Sequence, residues 1–535
     1  MKISVVFTTV LGLTMAAPIF AQEAARPAPA DTSEFHASNE FSVEQNEIRG
    51  AGKDASSLTK GLNYLEILNL YGNGAKGAWD YNYTVGGKAT DDLRNDSKKL
   101  SLTNMQGRAT NNIHTITVGD VFESFSQYAL ATSLKGGSYR FLKEGTRLPE
   151  VTAVMGWAYP RWDSIWKDPE TRTINRQASG LRVKENFSGD LWAGLSAVSA
   201  KDTGRISATD ALYDARNYTL DFNYIPMPGL TVAGEHSMSD YDEATGATSE
   251  KGKATRIELI GDADPSRVSL EYENVEPDFY SALGSASPDR RKFKTKWRYK
   301  YTKQVTFTSG LLWYRNNLDG AKTGTTSNWK PEISAAIKKP FASRPYSLAD
   351  LSYKFDRKYG AGSSGADHYL NGNYRDRFGE LDSDTNLGCT LYKTKTAVRD
   401  AKEVNFNTSL NSRHQLKSVV LKPSVNLGTW YSKDELADET DKLYEYSLGL
   451  GFEAPDANLT SDLRFGRNML RKSASGTDDS DKFFAALNTY WRPKFMARLN
   501  DSTIFLRAGF NDYAFTTTAR NFREKSVTVG INTAF

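Results

Sequence analysis

Phe293-Lys-Thr-Lys-Trp-Arg-Tyr-Lys-Tyr301 alternates without a break. Phe293, Thr295, Trp297, Tyr299 and Tyr301 fall on one side of an extended chain, and Lys294, Lys296, Arg298 and Lys300 on the other. A helix would mix the two sets around its circumference. The stretch therefore predicts a strand with one apolar face and one wetted face. The same period of two recurs on both sides. Asn217–Tyr224 sets Tyr218, Leu220, Phe222 and Tyr224 against Asn217, Thr219, Asp221 and Asn223. Tyr444–Phe452 sets Tyr444, Tyr446, Leu448, Leu450 and Phe452 against Glu445, Ser447, Gly449 and Gly451.

This rhythm runs from Gly61 to the end of the chain, with no amphipathic helix between. A mean hydropathy of −0.55 fits it, because strands with one polar face average out polar. After the first 21 residues no apolar run approaches the ~20 residues that a spanning helix needs. A net charge of +4 is too balanced for a nucleic-acid partner. Cys389 is the single cysteine, which excludes an internal disulfide, a CxxC metal cluster and a CxxCH haem attachment. No cofactor is expected.

The links between strands discriminate a barrel from a sandwich. Short ones (Asn186–Asp190, Pro226–Gly229, Gly261–Ser266, Ala454–Asn458) alternate with long polar ones (Pro160–Arg172, Ser199–Ala211, Pro277–Arg290, Tyr431–Lys442). That alternation predicts an all-β, single transmembrane antiparallel up-and-down β-barrel with short periplasmic turns and long outer loops. Trp157, Trp313, Trp329 and Trp430 fall beside long links, and Trp491, Tyr224, Tyr299 and Tyr301 beside short ones. Two aromatic belts are expected at those levels. Upstream, Lys2, the apolar Val5–Met15 and the Ala17-Pro-Ile-Phe-Ala21 that follows predict a signal peptide over residues 1–21. Residues 22–60 lack periodicity and predict a flexible periplasmic segment. The barrel is then expected over residues 61–535.

The chain ends Ser-Val-Thr-Val-Gly-Ile-Asn-Thr-Ala-Phe. Thr528, Gly530, Thr533 and Phe535 resemble the C-terminal signal of outer-membrane barrel proteins, with the departure that position 533 is usually apolar. The resemblance implies an outer-membrane location and recognition by the barrel-assembly machinery. It also implies contact with outer-membrane lipid and lipopolysaccharide. Val527, Val529, Ile531 and Phe535 are expected on the lipid face, and Thr528, Gly530 and Asn532 on the lumenal one. Counting segments gives about 24 strands, within 22–26. A barrel of that width leaves a channel or a lumen to be filled.

Gly119–Phe141 breaks the rhythm. It is similar to a segment of large porin-like barrels from Bacteroidota-type bacteria, a likeness that names no activity. Two readings stand: irregular wall strands, or an inward fold in which Asp120, Phe122, Glu123, Phe125 and Tyr128 constrict the lumen or dock a partner. Lys292, Lys294, Lys296, Arg298 and Lys300 form a basic stripe, with Glu271 and Glu273 on the preceding strand. Cross-strand pairing of Glu273 with Lys292 and Glu271 with Lys294 is expected over a bare selectivity filter. Five scattered histidines and the lack of HExxH or GxSxG point away from catalysis, leaving a barrel-rim hydrolase as a remote alternative. The main readings are a porin-like channel for passive solute passage, or a barrel scaffold enclosing a lumenal or periplasmic protein partner, such as a secretion or electron-transfer component. Deleting Phe535 is expected to lower the folded, heat-modifiable protein in outer-membrane fractions while leaving export across the inner membrane intact. Unchanged amounts of folded protein would contradict the assembly-signal reading.

Overall fold

The computed structural model describes residues 31–146, 148–159, 161–166, 174–203, 211–243, 249–360, 364–378, 382–474, 476–496 and 502–535. The expected signal peptide and positions 22–30 lie outside the described residues. Among the described residues one sheet of 26 strands forms the wall. The first nine are β1 (Thr32–Arg49), β2 (Gly61–Lys76), β3 (Trp79–Thr90), β4 (Leu100–Thr110), β5 (His114–Phe122), β6 (Ser133–Phe141), β7 (Glu150–Trp157), β8 (Arg176–Asn186) and β9 (Leu191–Asp202). Next come β10 (Tyr213–Met227), β11 (Leu230–Glu243), β12 (Ser249–Ala263), β13 (Ser266–Val275), β14 (Arg290–Lys300), β15 (Val305–Asn316), β16 (Ser327–Lys338), β17 (Leu348–Tyr359) and β18 (Gly365–Phe378). The last are β19 (Asp382–Lys395), β20 (Asp400–Leu416), β21 (Val419–Asp434), β22 (Glu439–Ala454), β23 (Leu459–Lys472), β24 (Ser480–Trp491), β25 (Thr503–Phe515) and β26 (Phe522–Ala534).

Each strand pairs antiparallel with its sequence neighbour. The ring closes where β1 pairs with β26, from Ser38↔Ala534 to Arg49↔Arg523. Backbone bonds between Ala37 and Phe535, 2.8 and 3.1 Å long, extend the seam to the last residue. This is a closed up-and-down barrel. Its strand count exceeds the expected ~24 by two, and the two additions are β1 and β6. Thr32–Arg49 is wall, not a flexible linker. Phe35, Ala37, Phe41 and Val43 do alternate there, but Asn39, Gln45 and Glu47 thin out the apolar face. Ser133–Phe141 is also wall. Its Gly136 and Gly137 lie within a paired strand, opposite Gly119 and Val118, and make no turn.

The links at the end away from the termini are less uniformly long than expected. β21 and β22 run on through much of the expected Tyr431–Lys442 loop, because Lys433↔Thr440 and Asp434↔Glu439 continue the ladder. Only residues 435–438 remain as link, closed by Asp438 at φ 52° and by a 2.9 Å bond from Lys433 Nζ to its carboxylate.

Register sorts the two faces. Phe41 lies beside Ile531, and Val43 beside Val529, facing outward; Ser42 lies beside Gly530, and Glu44 beside Thr528, facing inward. Thr533 shares the outward face with Ile531, and Phe535 is 54% exposed. Trp313 and Trp329 face outward near the far end, ring centroids 6.3 Å apart. Trp157 also faces outward at that end, in step with the exposed Met155. Trp491 stacks edge-on with Phe495 at 6.0 Å near the end that carries the termini. Trp430 departs from the belt: it shares the inward face with Asn405, where its Nε1 donates to Glu403 Oε2 at 3.2 Å. The polar residues around it claim the indole N–H for the lumenal side.

The seam has a mechanical lock. The ring of Phe505, buried on the inward face of β25, lies across Gly530, and a Cβ at position 530 would sit 2.3 Å from its Cζ. Gly530→Leu is therefore expected to collide with that ring and to cost about 1–3 kcal/mol through overpacking. Adding Phe505→Ala should recover much of the loss. Heat-modifiable mobility and denaturant midpoints of the two variants check this, and equal stability of Gly530→Leu and the parent would refute it.

Candidate functional site: a segment folded against the inward wall

Between β5 and β6 the chain leaves the wall over Glu123–Thr132. Gly119, at φ +104°, permits the departure, since a Cβ there would lie 2.1 Å from the Met105 carbonyl oxygen. Beyond it, Val121 turns into a buried cluster with Phe125, Ala129, Leu130 and Leu134. These side chains sit on Val154 of β7, Ala178 of β8, Val198 and Ala200 of β9, and Leu283 of the β13–β14 link. Val154 and Val198 both pair with Gly180, which places the seat on the inward face. The missing Cβ of Gly180 makes room for Phe125, whose ring would lie 2.8 Å from it.

Further round the ring, Tyr128 is fully buried with Ala254, Val275 and Phe279. Its ring meets Phe279 edge-on at 5.8 Å. Every polar atom of Tyr128 is engaged. The backbone N–H donates to Glu235 Oε1 at 2.8 Å, the hydroxyl donates to Glu273 Oε1 at 2.7 Å, and the carbonyl accepts from Ser281 Oγ at 2.6 Å. Burial, reinforced by the Glu273 carboxylate, pushes the hydroxyl far above its ordinary pKa, so it remains a donor. Two backbone bonds join the segment to the β13–β14 link: Ala131 N to Leu283 O at 2.9 Å and Ser285 N to Gln127 O at 2.7 Å. Arg182, paired with Asp221 at 2.7 Å, donates to the Phe125 carbonyl. The segment thus lines the inward wall from β5 to β13.

The sequence-derived candidates divide. Phe125 and Tyr128 lie at the heart of this contact. Glu123 accepts from Ser138 Oγ at 2.9 Å. Phe122 does not join them: it alternates with Val121 and is 67% exposed on the opposite face. Asp120 shares that face and is bound by Lys135, by Met105 N at 2.7 Å and by Trp162 Nε1 at 3.1 Å. Glu235, Phe279, Ser281 and Leu283 were not singled out from sequence. For Phe279, Ser281 and Leu283 the signal is the apolar content of the β13–β14 link, Asp-Phe-Tyr-Ser-Ala-Leu, unusual for a solvated loop; Glu235, within β11, carries no such signal.

The charge ladder is half paired. Glu273↔Lys292 and Glu271↔Lys294 are Cα partners, but Glu271 bonds Lys292 at 2.8 Å and Arg256 at 3.3 Å rather than Lys294. Lys292 also bonds Glu273. Charges beside the buried Tyr128 have lost water and must find partners. Among the described residues Lys294, Lys296 and Arg298 make no ion pair, and all three are exposed on the inward face. Lys300 meets Asp264 at 2.7 Å.

No family model matches this chain, and no curated protein does. Among solved structures, OccD1 (OprD) is similar at 9% identity over 62% of this chain and 92% of its own, with a TM-score of 0.35. The P pilus usher (PapC) translocation pore is similar at 10% identity over 93% of this chain and 99% of its own, with a TM-score of 0.36. OpdQ of Pseudomonas aeruginosa is similar at 10% identity over 69% and 98%, with a TM-score of 0.34. Likeness at this level reaches no further than the barrel wall.

Tyr128→Phe is expected to remove a hydrogen bond to a charged acceptor, at a cost of about 1.5–3 kcal/mol. Phe125→Ala should cost about 3–5 kcal/mol through the cavity it leaves. Hydrogen exchange at the amides of Tyr128 and Ala131 reads both, as openings at least about tenfold more frequent. Unchanged protection in both variants would show that the segment is held by other means.

Proposed function

We propose that the protein is a porin-like outer-membrane channel for the passive passage of small polar solutes, narrowed on one side by Glu123–Thr132. The observation that carries this reading is the division of the inward wall. From β5 to β13 it is covered by the inner segment and the β13–β14 link. From β15 to β26 it presents polar side chains to an uncovered lumen, among them Asn371, Asn405, Asn426 and Asn488. The outward face supports a membrane setting. Leu195, Met155 and Val529 are exposed there at 62%, 69% and 52%, areas of apolar surface that water would penalise and lipid would not. On this reading residues 1–21 direct export and the assembly machinery reads the β26 end.

The scaffold reading gains no comparable support. Phe125 and Tyr128, which would dock a partner, are already spent on the barrel's own wall. No catalytic role is proposed.

Replacing Glu123–Thr132 by a short Gly-Ser linker tests the channel. In planar bilayers the parent should give steady single-channel steps, and the variant larger ones with the barrel still heat-modifiable. A parent that folds but never conducts would overturn the channel. Equal step sizes would overturn the narrowing by this segment.

A further inference from the structure

Opposite the inner segment in strand order, the wall has a recess that the channel reading does not use. The segment is seated on β9, and thirteen of the 26 strands round the ring from β9 is β22. There, at mid-height, β19–β24 enclose a cavity of about 430 Å³ open to the lumen. That lies within the ~300–1,000 Å³ of ordinary small-molecule sites.

Two rows of cross-strand neighbours make it. In one, Gly388, Asn407, Gly428 and Glu445 pair in succession. The glycines leave gaps that Asn407 and Glu445 overhang: a Cβ at Gly428 would lie 3.0 Å from Asn407 Oδ1 and 3.4 Å from Glu445 Oε2. In the other row, Asn426, Ser447, Gly466 and Phe484 pair in succession. Gly466 lets the Phe484 ring lie flat across the wall, its Cζ 2.7 Å from where a Cβ would be. Arg464 completes the floor, its Nη2 3.0 Å from Ser447 Oγ and its guanidinium 5.8 Å from the Phe484 ring centroid. Among the described residues neither the Glu445 carboxylate nor the Asn407 amide has a protein partner.

We propose that this recess is a binding site for neutral saccharides, which deepens the channel reading by naming a class of solute. Sugar hydroxyls both donate and accept, and side-chain amides match them in both senses. Glu445 supplies an acceptor, Arg464 supplies donors, and their formal charges cancel, so neither an anion nor a cation is favoured. The Phe484 ring offers the apolar surface that the C–H face of a pyranose covers. The cluster of unpaired basic groups that an anion would seek lies elsewhere on the wall, at Lys294, Lys296 and Arg298, although Lys482 also reaches to 6.0 Å from the Phe484 ring centroid.

Equilibrium dialysis of the full-length, detergent-folded barrel against maltotriose, sucrose and N-acetylglucosamine, with gluconate as the charged control, reads the recess whether or not the barrel conducts. Saturable binding of at least one neutral sugar is expected, weakened about tenfold or more by Gly428→Leu, which fills the floor, and by Phe484→Ala, which removes the ring. Heat-modifiable mobility confirms folding, and if Gly428→Leu fails to fold, Phe484→Ala and Glu445→Gln carry the test. Absence of saturable binding by every neutral probe, tighter binding of gluconate, or undiminished binding in the folded variants would overturn the proposal. Sugar binding by a barrel that never conducts would sink the channel reading and leave the recess standing.

Discussion

The hydrogen bonds between β1 and β26 are the constraint on which the rest depends. An open sheet of this length would end in two rows of unpaired N–H and C=O groups. In an apolar surround each would cost several kcal/mol. Closing the ring removes both edges at once, and twelve register pairs do it here. The far end of the seam is tied by side chains as well. Ser56 Oγ donates to Glu524 at 2.6 Å, and Asn511 Nδ2 donates to the other Glu524 oxygen at 3.1 Å. Ser56 belongs to the β1–β2 link and Asn511 to β25, so one buried carboxylate spans the junction.

Closure is not uniform round the ring. β4 and β5 share only five register pairs, from Gln106↔Gly119 to Thr110↔Thr115, after which they diverge. Asp120 stands in for the lost ladder by accepting from Met105 N, and the Gln106 side chain donates to the Asp120 carbonyl at 2.5 Å. Lys135 neutralises the carboxylate, and Trp162 lies over Lys135 at 5.3 Å. The inner segment leaves the wall from this divergence. A strand that remained fully paired on both sides could not turn inward without stranding its backbone groups. Asp120 is thus part of the hinge that frees the segment rather than part of its lumenal face.

Sequence carries the wall and its faces well, because alternation is a local signal that each strand repeats. Val527, Val529 and Ile531 against Thr528, Gly530 and Asn532 needs no knowledge of any partner strand. β1 was hidden because alternation fades when the apolar face holds Asn39, Gln45 and Glu47. β6 was hidden because glycine pairs carry no face. Trp430 shows the same limit in a single residue: an indole at a strand end suits an interfacial belt, and only the register that sets it beside Asn405 and Glu403 turns it inward. The contacts of Tyr128 with Glu235, Glu273 and Ser281 span more than 100 residues of chain, and no periodicity reports them.

A ring of 26 strands is too wide for wall side chains to meet across its middle. The chain narrows it by burying one of its own links, and that choice sets the electrostatics. On the covered side, water is excluded, so Arg256, Glu271, Glu273 and Lys292 close into a network with Tyr128 at its centre. On the uncovered side, amides and carboxylates that face water, such as Asn407 and Glu445, cost little when left unpaired. Lys294, Lys296 and Arg298 lie where one regime gives way to the other, on the same strand as the paired Lys292 but beyond the reach of the buried cluster. One strand therefore carries a lysine that must be paired and three cations that need not be. What distinguishes them is the cover of the inner segment, since all four are cations on the same face of the wall.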